Sequence, residues 1–296
     1  MSEEKRAALK EKREQQVKRQ KKMIKIIAVI AGIAILIYII GSCGKKEEEE
    51  VIEVNNIVQM EDVSDKQNSI DNEIKVEETL EEKVERVRNE AKEAEYPEGV
   101  IELLSKNPET VTFVENYKIK KDTAPVMEIS ELIEGEIPHL LQWDERWGYA
   151  PYGTSIVAVS GCGPTCLSMV FSGLTGDKSL TPARMAEYGT KHHYVSEEND
   201  TYWIFMSEAG KEWGIRTKEK ILEEEELKKE LLAGHPVICT VGPGHFTQIG
   251  HFIVLAGYEE GEIIVHDPFS IKNTEKRWEY EEFKDQIKCM WTYSMN

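Results

Sequence analysis

G-C-G-P-T-C-L-S-M-V-F-S-G-L, residues 161–174, is the stretch on which the reading of this chain turns. It places Cys162 directly ahead of an apolar helical run. A thiol at a helix N-terminus sees the positive end of the helix dipole and several unpaired backbone N–H groups, which favour thiolate over thiol. Pro164 has the ring-fixed φ suited to a first helical turn. Gly161 and Gly163 leave room for a substrate backbone to come close. These are the conditions a nucleophilic cysteine needs, although a structural cysteine at a glycine-rich turn would show the same motif.

Outward from this stretch, the flanking segments set the architecture. Toward the N-terminus, I-P-H-L-L-Q-W-D-E-R-W (137–147) leads to a strand-like run, T-S-I-V-A-V-S (154–160). Toward the C-terminus, the helix from Cys162 is expected to end near Ser172 with Gly173 as its stop. Further helices are expected from Pro182 to Tyr188, Thr201 to Trp213, and Glu223 to Ala233 with Gly234 as a cap. The pattern then changes. P-V-I-C-T-V (236–241) reads as a buried strand. H-F-I-V-L-A-G-Y (251–258) and E-I-I-V-H-D-P (262–268) read as a hairpin turning through E-E-G. Helices first and strands afterwards indicate an α+β fold.

The hairpin carries a geometric expectation. If its turn centres on Glu259, His251 directly faces Asp267, and opposed residues have Cβ atoms about 5 Å apart. A turn centred one residue later shifts the pairing by two residues. A carboxylate there fixes the imidazole and leaves its other nitrogen free to take a proton from a thiol. Spacing alone does not place Cys162 against His251.

The N-terminal third has a different character. The whole chain of 296 residues carries a formal charge of −18. Residues 1–25 hold ten Lys/Arg against four Asp/Glu, a net of +6, which leaves −24 on the rest. An acidic body argues against nucleic acid as a partner. Ile26 to Gly44 is a run of 19 uncharged residues, close to the length that crosses a bilayer as a helix. Basic residues before it and Glu47 to Glu50 after it put the N-terminus in the cytoplasm and the body outside. The reading is an uncleaved signal anchor. I-I-G-S-C (39–43) offers the alternative of a lipoprotein anchored at Cys43, against which the basic stretch is long for a cleaved signal.

Residues 45–95 hold eight Lys/Arg and eighteen Asp/Glu and no aromatic residue, so an acidic linker is expected. From Val76 a stripe of Leu80, Val84, Val87, Ala91 and Ala94 marks a helix, read as a charged stalk that could also pack on the body or on a second copy. Tyr96-Pro97 breaks it. Two short helices around Asn107-Pro108 form a helical lead-in over 96–135, and the catalytic body is placed at 136–296. Four cysteines in the C-terminal half lack the dense spacing of a disulfide scaffold. Whether Cys239 and Cys289 pair is open.

Taken together, Q-W-D-E-R-W-G, G-C-G-P-T-C-L-S-M-V, P-G-H-F-T-Q-I-G-H-F-I-V-L and H-D-P resemble the papain-like cysteine peptidases of the bacteriocin-leader (double-glycine) type, in the stand-alone bacterial branch found outside transporters. Residues 96–114 look like the lead-in of that branch. The resemblance implies a papain-like fold, with Cys162 as nucleophile, His251 as general base, Asp267 as orienter and Gln142 as side-chain donor to the oxyanion. A glutamine amide suits that role because it donates without carrying charge. The chain differs from transporter-linked members in lacking a nucleotide-binding domain, which leaves the double-glycine leader unassigned as its substrate.

The same residues admit other readings. His245, six residues before His251, is a rival base and a candidate cleft residue. Trp203 and Tyr202 are candidates for a substrate wall. Cys162, Cys166, His245 and His251 have the ligand types of a metal site but lack paired C-x-x-C knuckles, so neither metal nor cofactor is expected. The expected function is a membrane-tethered extracellular peptidase or amidase acting on a peptide or protein substrate. A silent binding module, or an acyltransferase or cell-wall peptide amidase on the same fold, is the alternative.

Overall fold

The structure is a computed structural model and describes residues 78–133 and 135–296. The basic tail, the apolar run with Cys43 and the acidic linker up to residue 77 lie outside the described residues. Among the described residues no helix is long and apolar enough to cross a membrane.

The described chain opens with helix α1 (Leu80–Glu93), started by a reciprocal capping box between Thr79 and Glu82. This satisfies two N–H groups that the first turn leaves orphaned. Val87 and Ala91, four apart on one face, are buried against α2 (Glu98–Lys106) and α3 (Val111–Lys120). The helix expected as a stalk is therefore packed on the body. Asn107 separates α2 from α3, its side-chain oxygen taking the Glu109 N–H to start a short 3₁₀ turn.

Strands β1 (Pro151–Tyr152) and β2 (Ser155–Ile156) form a small hairpin. The run expected as a strand over 154–160 is extended only at Ser155–Ile156. It then turns into α4 (Val157–Ser160), because Val157 and Ala158 donate back to Ala150 and Gly148 and not to a neighbouring strand. Helix α5 (Cys162–Thr175) follows and is buried from Gly163 to Gly173. It passes through Gly173, where a Cβ would meet Ile137 and the Glu136 carbonyl at under 3 Å. That glycine serves close packing, and the left-handed residue that ends the helix is Gly176, at φ 71°. Helix α6 (Pro182–Lys191) runs one turn beyond Tyr188. The single helix expected over 201–213 is split into α7 (Ile204–Glu208) and a 3₁₀ segment to Trp213.

The C-terminal half is one antiparallel sheet, with β3 (Ile215–Glu219), helix α8 (Glu224–Leu232), β4 (Val237–Val241), β5 (His251–Glu259), β6 (Glu262–His266), helix α9 (Ile271–Glu275), β7 (Arg277–Trp278), helix α10 (Tyr280–Phe283) and β8 (Ile287–Met295). The strand order is β3-β8-β4-β5-β6-β7. Period-two alternation divides its faces. Ile238, Phe252, Val254, Trp291 and Tyr293 pack with α5, while Val237, Cys239, Ile253, Leu255 and Val265 pack with α8 and α10. The register sets Cys239 opposite Met290 and Cys289 opposite Thr240, so the two thiols enter opposite faces and are not placed to bridge. The α+β expectation holds: helices lie mainly in the N-terminal half and the antiparallel sheet in the C-terminal half.

The hairpin register differs from the simplest expectation. Glu259 pairs with Glu262, and a bulge at Ala256 shifts the ladder so that Val254 faces His266. Asp267 therefore lies two residues short of direct opposition to His251. The two meet diagonally, within reach of long side chains.

Candidate active site

Cys162 is the first residue of α5, in the turn whose N–H groups have no acceptor within the helix. Its side chain is partly exposed, whereas Cys166 one turn on is fully buried, and burial pushes that thiol well up. The two glycines flanking Cys162 have reasons inside the protein. A Cβ at Gly161 would strike Val157, and one at Gly163 would strike the Thr201 side chain, each well under 3 Å. The space read in the sequence as room for a substrate backbone is occupied by the protein's own chain.

His251 begins β5 with only 8 % of its surface exposed. Its Nε2 bonds Asp267 Oδ1 at 2.7 Å. The Cys162 thiol lies close enough to the same ring to add to what raises its pKa, and with Nε2 taken by Asp267, Nδ1 is the ring nitrogen that remains. Burial works against charge on the imidazole, but the Asp267 carboxylate and the bonds to Asp267 and Cys162 outweigh it and raise its pKa above 6.5. Asp267 is fully buried. Burial works against its charge too, yet the His251 imidazole and bonds from His251, Asn273 and the Phe269 N–H hold the carboxyl below its ordinary value of 3.8. Asn273 Nδ2 reaches Oδ2 at 2.7 Å, and the Phe269 N–H reaches Oδ1 at 2.8 Å. The Phe269 ring stands edge-on to His251, 6.3 Å away.

Gln142 is buried just before α4 and α5 in sequence. Its backbone N–H bonds the Pro268 carbonyl at 2.7 Å, and its side-chain Nε2 donates to the Ala158 carbonyl at 2.7 Å. An amide nitrogen has two hydrogens, so one is used to fix the group and one is left. Its Oε1 is buried with no hydrogen-bond partner among the described residues.

Cys162, His251 and Asp267 are thus brought together, with Gln142 bonded to the Pro268 carbonyl next to Asp267. Two other candidates are not placed with them. His245 is exposed, its ring 5.4 Å from Trp278 beside the second face of the sheet. Trp203 is a core residue, 6 % exposed and edge-on to Trp291 at 5.9 Å, and it cannot serve as a substrate wall. Its neighbour Tyr202 is half-buried and is the more accessible of the two rings.

Several residues around Asp267 were not singled out in the sequence. Thr274 accepts the Asp267 N–H at 2.9 Å, and His139 Nε2 meets the Asp267 carbonyl at 2.9 Å. Asn273 sits six residues beyond Asp267. The signal for it was Pro268 and the capping Ser270, which fold the chain into α9 and bring Asn273 back on the carboxylate.

A thiol at a helix N-terminus beside a buried imidazole held by a carboxylate just past the end of the adjoining strand is an arrangement suited to thiol hydrolysis. Residues 134–296 match the Peptidase_C39 like family, and the chain belongs to that family. No curated protein matches the chain. Solved structures similar to it include three peptidases. The peptidase domain of Streptococcus ComA, a bi-functional ABC transporter involved in a quorum sensing pathway, is 20% identical, with 46% of this chain and 93% of that chain covered and a TM-score of 0.36. A candidate C39-like peptidase from Bacillus anthracis is 16% identical, with 57% and 99% covered and a TM-score of 0.36. A double glycine motif protease from an AMS/PCAT transporter, in complex with the leader peptide, is 16% identical, with 57% and 99% covered and a TM-score of 0.33.

Proposed function

We propose that the chain is a cysteine peptidase tethered to a membrane by residues 26–44 and working on its outer side, in a stand-alone branch of its family. The observation that carries the chemistry is the buried His251 ring, held through Nε2 by Asp267 at 2.7 Å and offering its other nitrogen to Cys162. Cys162 Sγ attacks the scissile carbonyl while its proton resides on His251. The oxyanion takes the free Gln142 Nε2–H and the Cys162 backbone N–H. The C–N bond breaks as His251 returns the proton to the leaving amine. Water then attacks the acyl-enzyme with His251 as base, and the carboxylic acid and free thiol are released. Asp267 keeps the ring oriented throughout and stabilises its charged form. The tether rests on the uncharged run and on the basic residues before it, with a lipid on Cys43 as the alternative anchor.

The test is digestion of a complex peptide mixture by the full chain, with new termini identified by mass spectrometry. Wild type is expected to create new termini that Cys162→Ala does not. The same termini from both proteins would sink the reading.

A further inference from the structure

The turn Asn107-Pro108-Glu109 belongs to the lead-in, outside the residues that match the family, yet it grips the loop that carries Asp267. Asn107 is buried and its Nδ2 donates to the Phe269 carbonyl at 2.6 Å, across 162 positions of sequence. The Glu109 carboxylate accepts the N–H of Ile271 at 2.9 Å and of Lys272 at 3.2 Å. Asn107 Nδ2 also bonds Glu109 Oε2 at 3.0 Å, so the two side chains brace one another.

What they hold is a helix that cannot hold itself. α9 has five residues, well below the length at which a helix persists without outside help. Its first-turn N–H groups need acceptors, and Glu109 supplies two. α9 in turn carries Asn273, whose amide bonds Asp267 Oδ2, and Thr274, whose hydroxyl accepts the Asp267 N–H. From the other side the same loop is held by Trp143 Nε1, which donates to the Phe269 carbonyl at 2.8 Å, and by the Gln142 N–H on the Pro268 carbonyl. The Phe269 carbonyl is thus shared by the lead-in and by the segment bearing Gln142.

We propose that Asn107 and Glu109 are positioning residues of the active site, which act through the 267–274 loop to fix the Asp267 carboxylate and, through it, His251. The inference rests on the assignment of Cys162, His251 and Asp267 as the reacting set. A residue that only stabilised the fold would lower the melting temperature and leave the thiol chemistry alone. A positioning residue changes the proton affinity and placement of the imidazole, and so the reactivity of Cys162.

The experiment is the rate of Cys162 labelling by iodoacetamide on the full chain from about pH 4 to 9, for wild type, Glu109→Ala, Glu109→Gln and His251→Ala. Labelling at other cysteines is separated by mapping the modified peptide. Near about pH 6, Glu109→Ala is expected to label about tenfold more slowly than wild type. Glu109→Gln keeps one carbonyl acceptor and is expected to recover part of that rate. A wild-type profile in Glu109→Ala, with or without a lower melting temperature, would overturn the inference and leave the reacting set intact. Coincident profiles for wild type and His251→Ala would overturn the reacting set and the inference with it. If Glu109→Ala does not fold, Glu109→Gln carries the comparison, with slowed labelling expected and an unchanged profile overturning the proposal.

Discussion

His251 and Asp267 make the stability of this protein depend on pH in a way that can be signed. The folded-state pKa of His251 is raised above 6.5, so its contribution is fully present below 6.5 and is lost as pH rises through the raised value. Asp267 is lowered below 3.8, so its contribution is present above 3.8 and lost as pH falls through the lowered value. His139 and His266 act oppositely to His251. Burial lowers both, His266 to about 4, and each is held neutral, so stability is lost as pH falls below 6.5. Other groups titrate in the alkaline range, which makes the comparison with a variant the informative one. Between about pH 6 and 9 wild type is expected to lose about 2 kcal/mol more than His251→Ala, read from urea denaturation. Equal losses would mean that the imidazole is not charged in the folded protein. At this scale the sequence was informative about the residues proposed to react: Cys162, Gln142, His251 and Asp267 each sit in a stretch that carries the family resemblance. It was silent about Glu109 and Asn273, which act on backbone N–H groups or through a loop closure that local pattern does not encode.

In the hairpin β5–β6 the pairing on the His251 side is the one shifted by two residues, the second of the two registers that the spacing left open. Both strands lie within a residue or two of the apolar runs at 251–258 and 262–268, the two-residue loop is Glu260-Gly261, with φ of 53° and 98°, and the bulge at Ala256 takes up one more position. Two central residues at positive φ meet the requirement of the tight hairpin turn that prefers Asn-Gly. Glutamate pays a steric penalty there, and Glu259 and Glu262 face one another with like charge. Glu260→Asn is therefore expected to stabilise the protein by about 0.5–1 kcal/mol, seen as a higher melting temperature with unchanged Cys162 labelling. A lower melting temperature would show that the Glu260 side chain has a role outside its backbone conformation. Other elements were harder to read for physical reasons. β8 is buried on both faces over most of its length, so it lacks the alternation that marks a half-exposed strand. β3 is a largely polar edge strand. Gly173 has the appearance of a helix stop and is a packing glycine, since only the tertiary neighbour at Ile137 distinguishes the two.

At the scale of the whole molecule, the described residues pack into three apolar clusters. One lies between α5 and the sheet, one between the sheet and α8 with α10, and one joins the lead-in to the segment 149–159. The third is the one that composition hid, because the acidic surface of α1 resembles the linker before it while its buried stripe is only Val87 and Ala91. Its centre is Phe113, which is 1 % exposed and stacks on Tyr149 with ring centroids 4.2 Å apart. The Tyr149 hydroxyl donates to the Phe113 carbonyl at 2.9 Å, and Gly148 lies so close that a Cβ there would sit 2.6 Å from the Phe113 ring. Ala158, whose carbonyl fixes the Gln142 amide, is buried in the same cluster. Removing the Phe113 ring leaves a cavity against Tyr149 and Gly148, and such truncations cost about 3–5 kcal/mol. If the lead-in and the family-matched body unfold together, Phe113→Ala shifts one urea transition, monitored by both far-ultraviolet circular dichroism and tryptophan fluorescence, to a lower midpoint that corresponds to that loss of stability. An early transition for the lead-in alone, with the body's midpoint unchanged, would mean that the lead-in is an independent unit and that the body holds Gln142 without it.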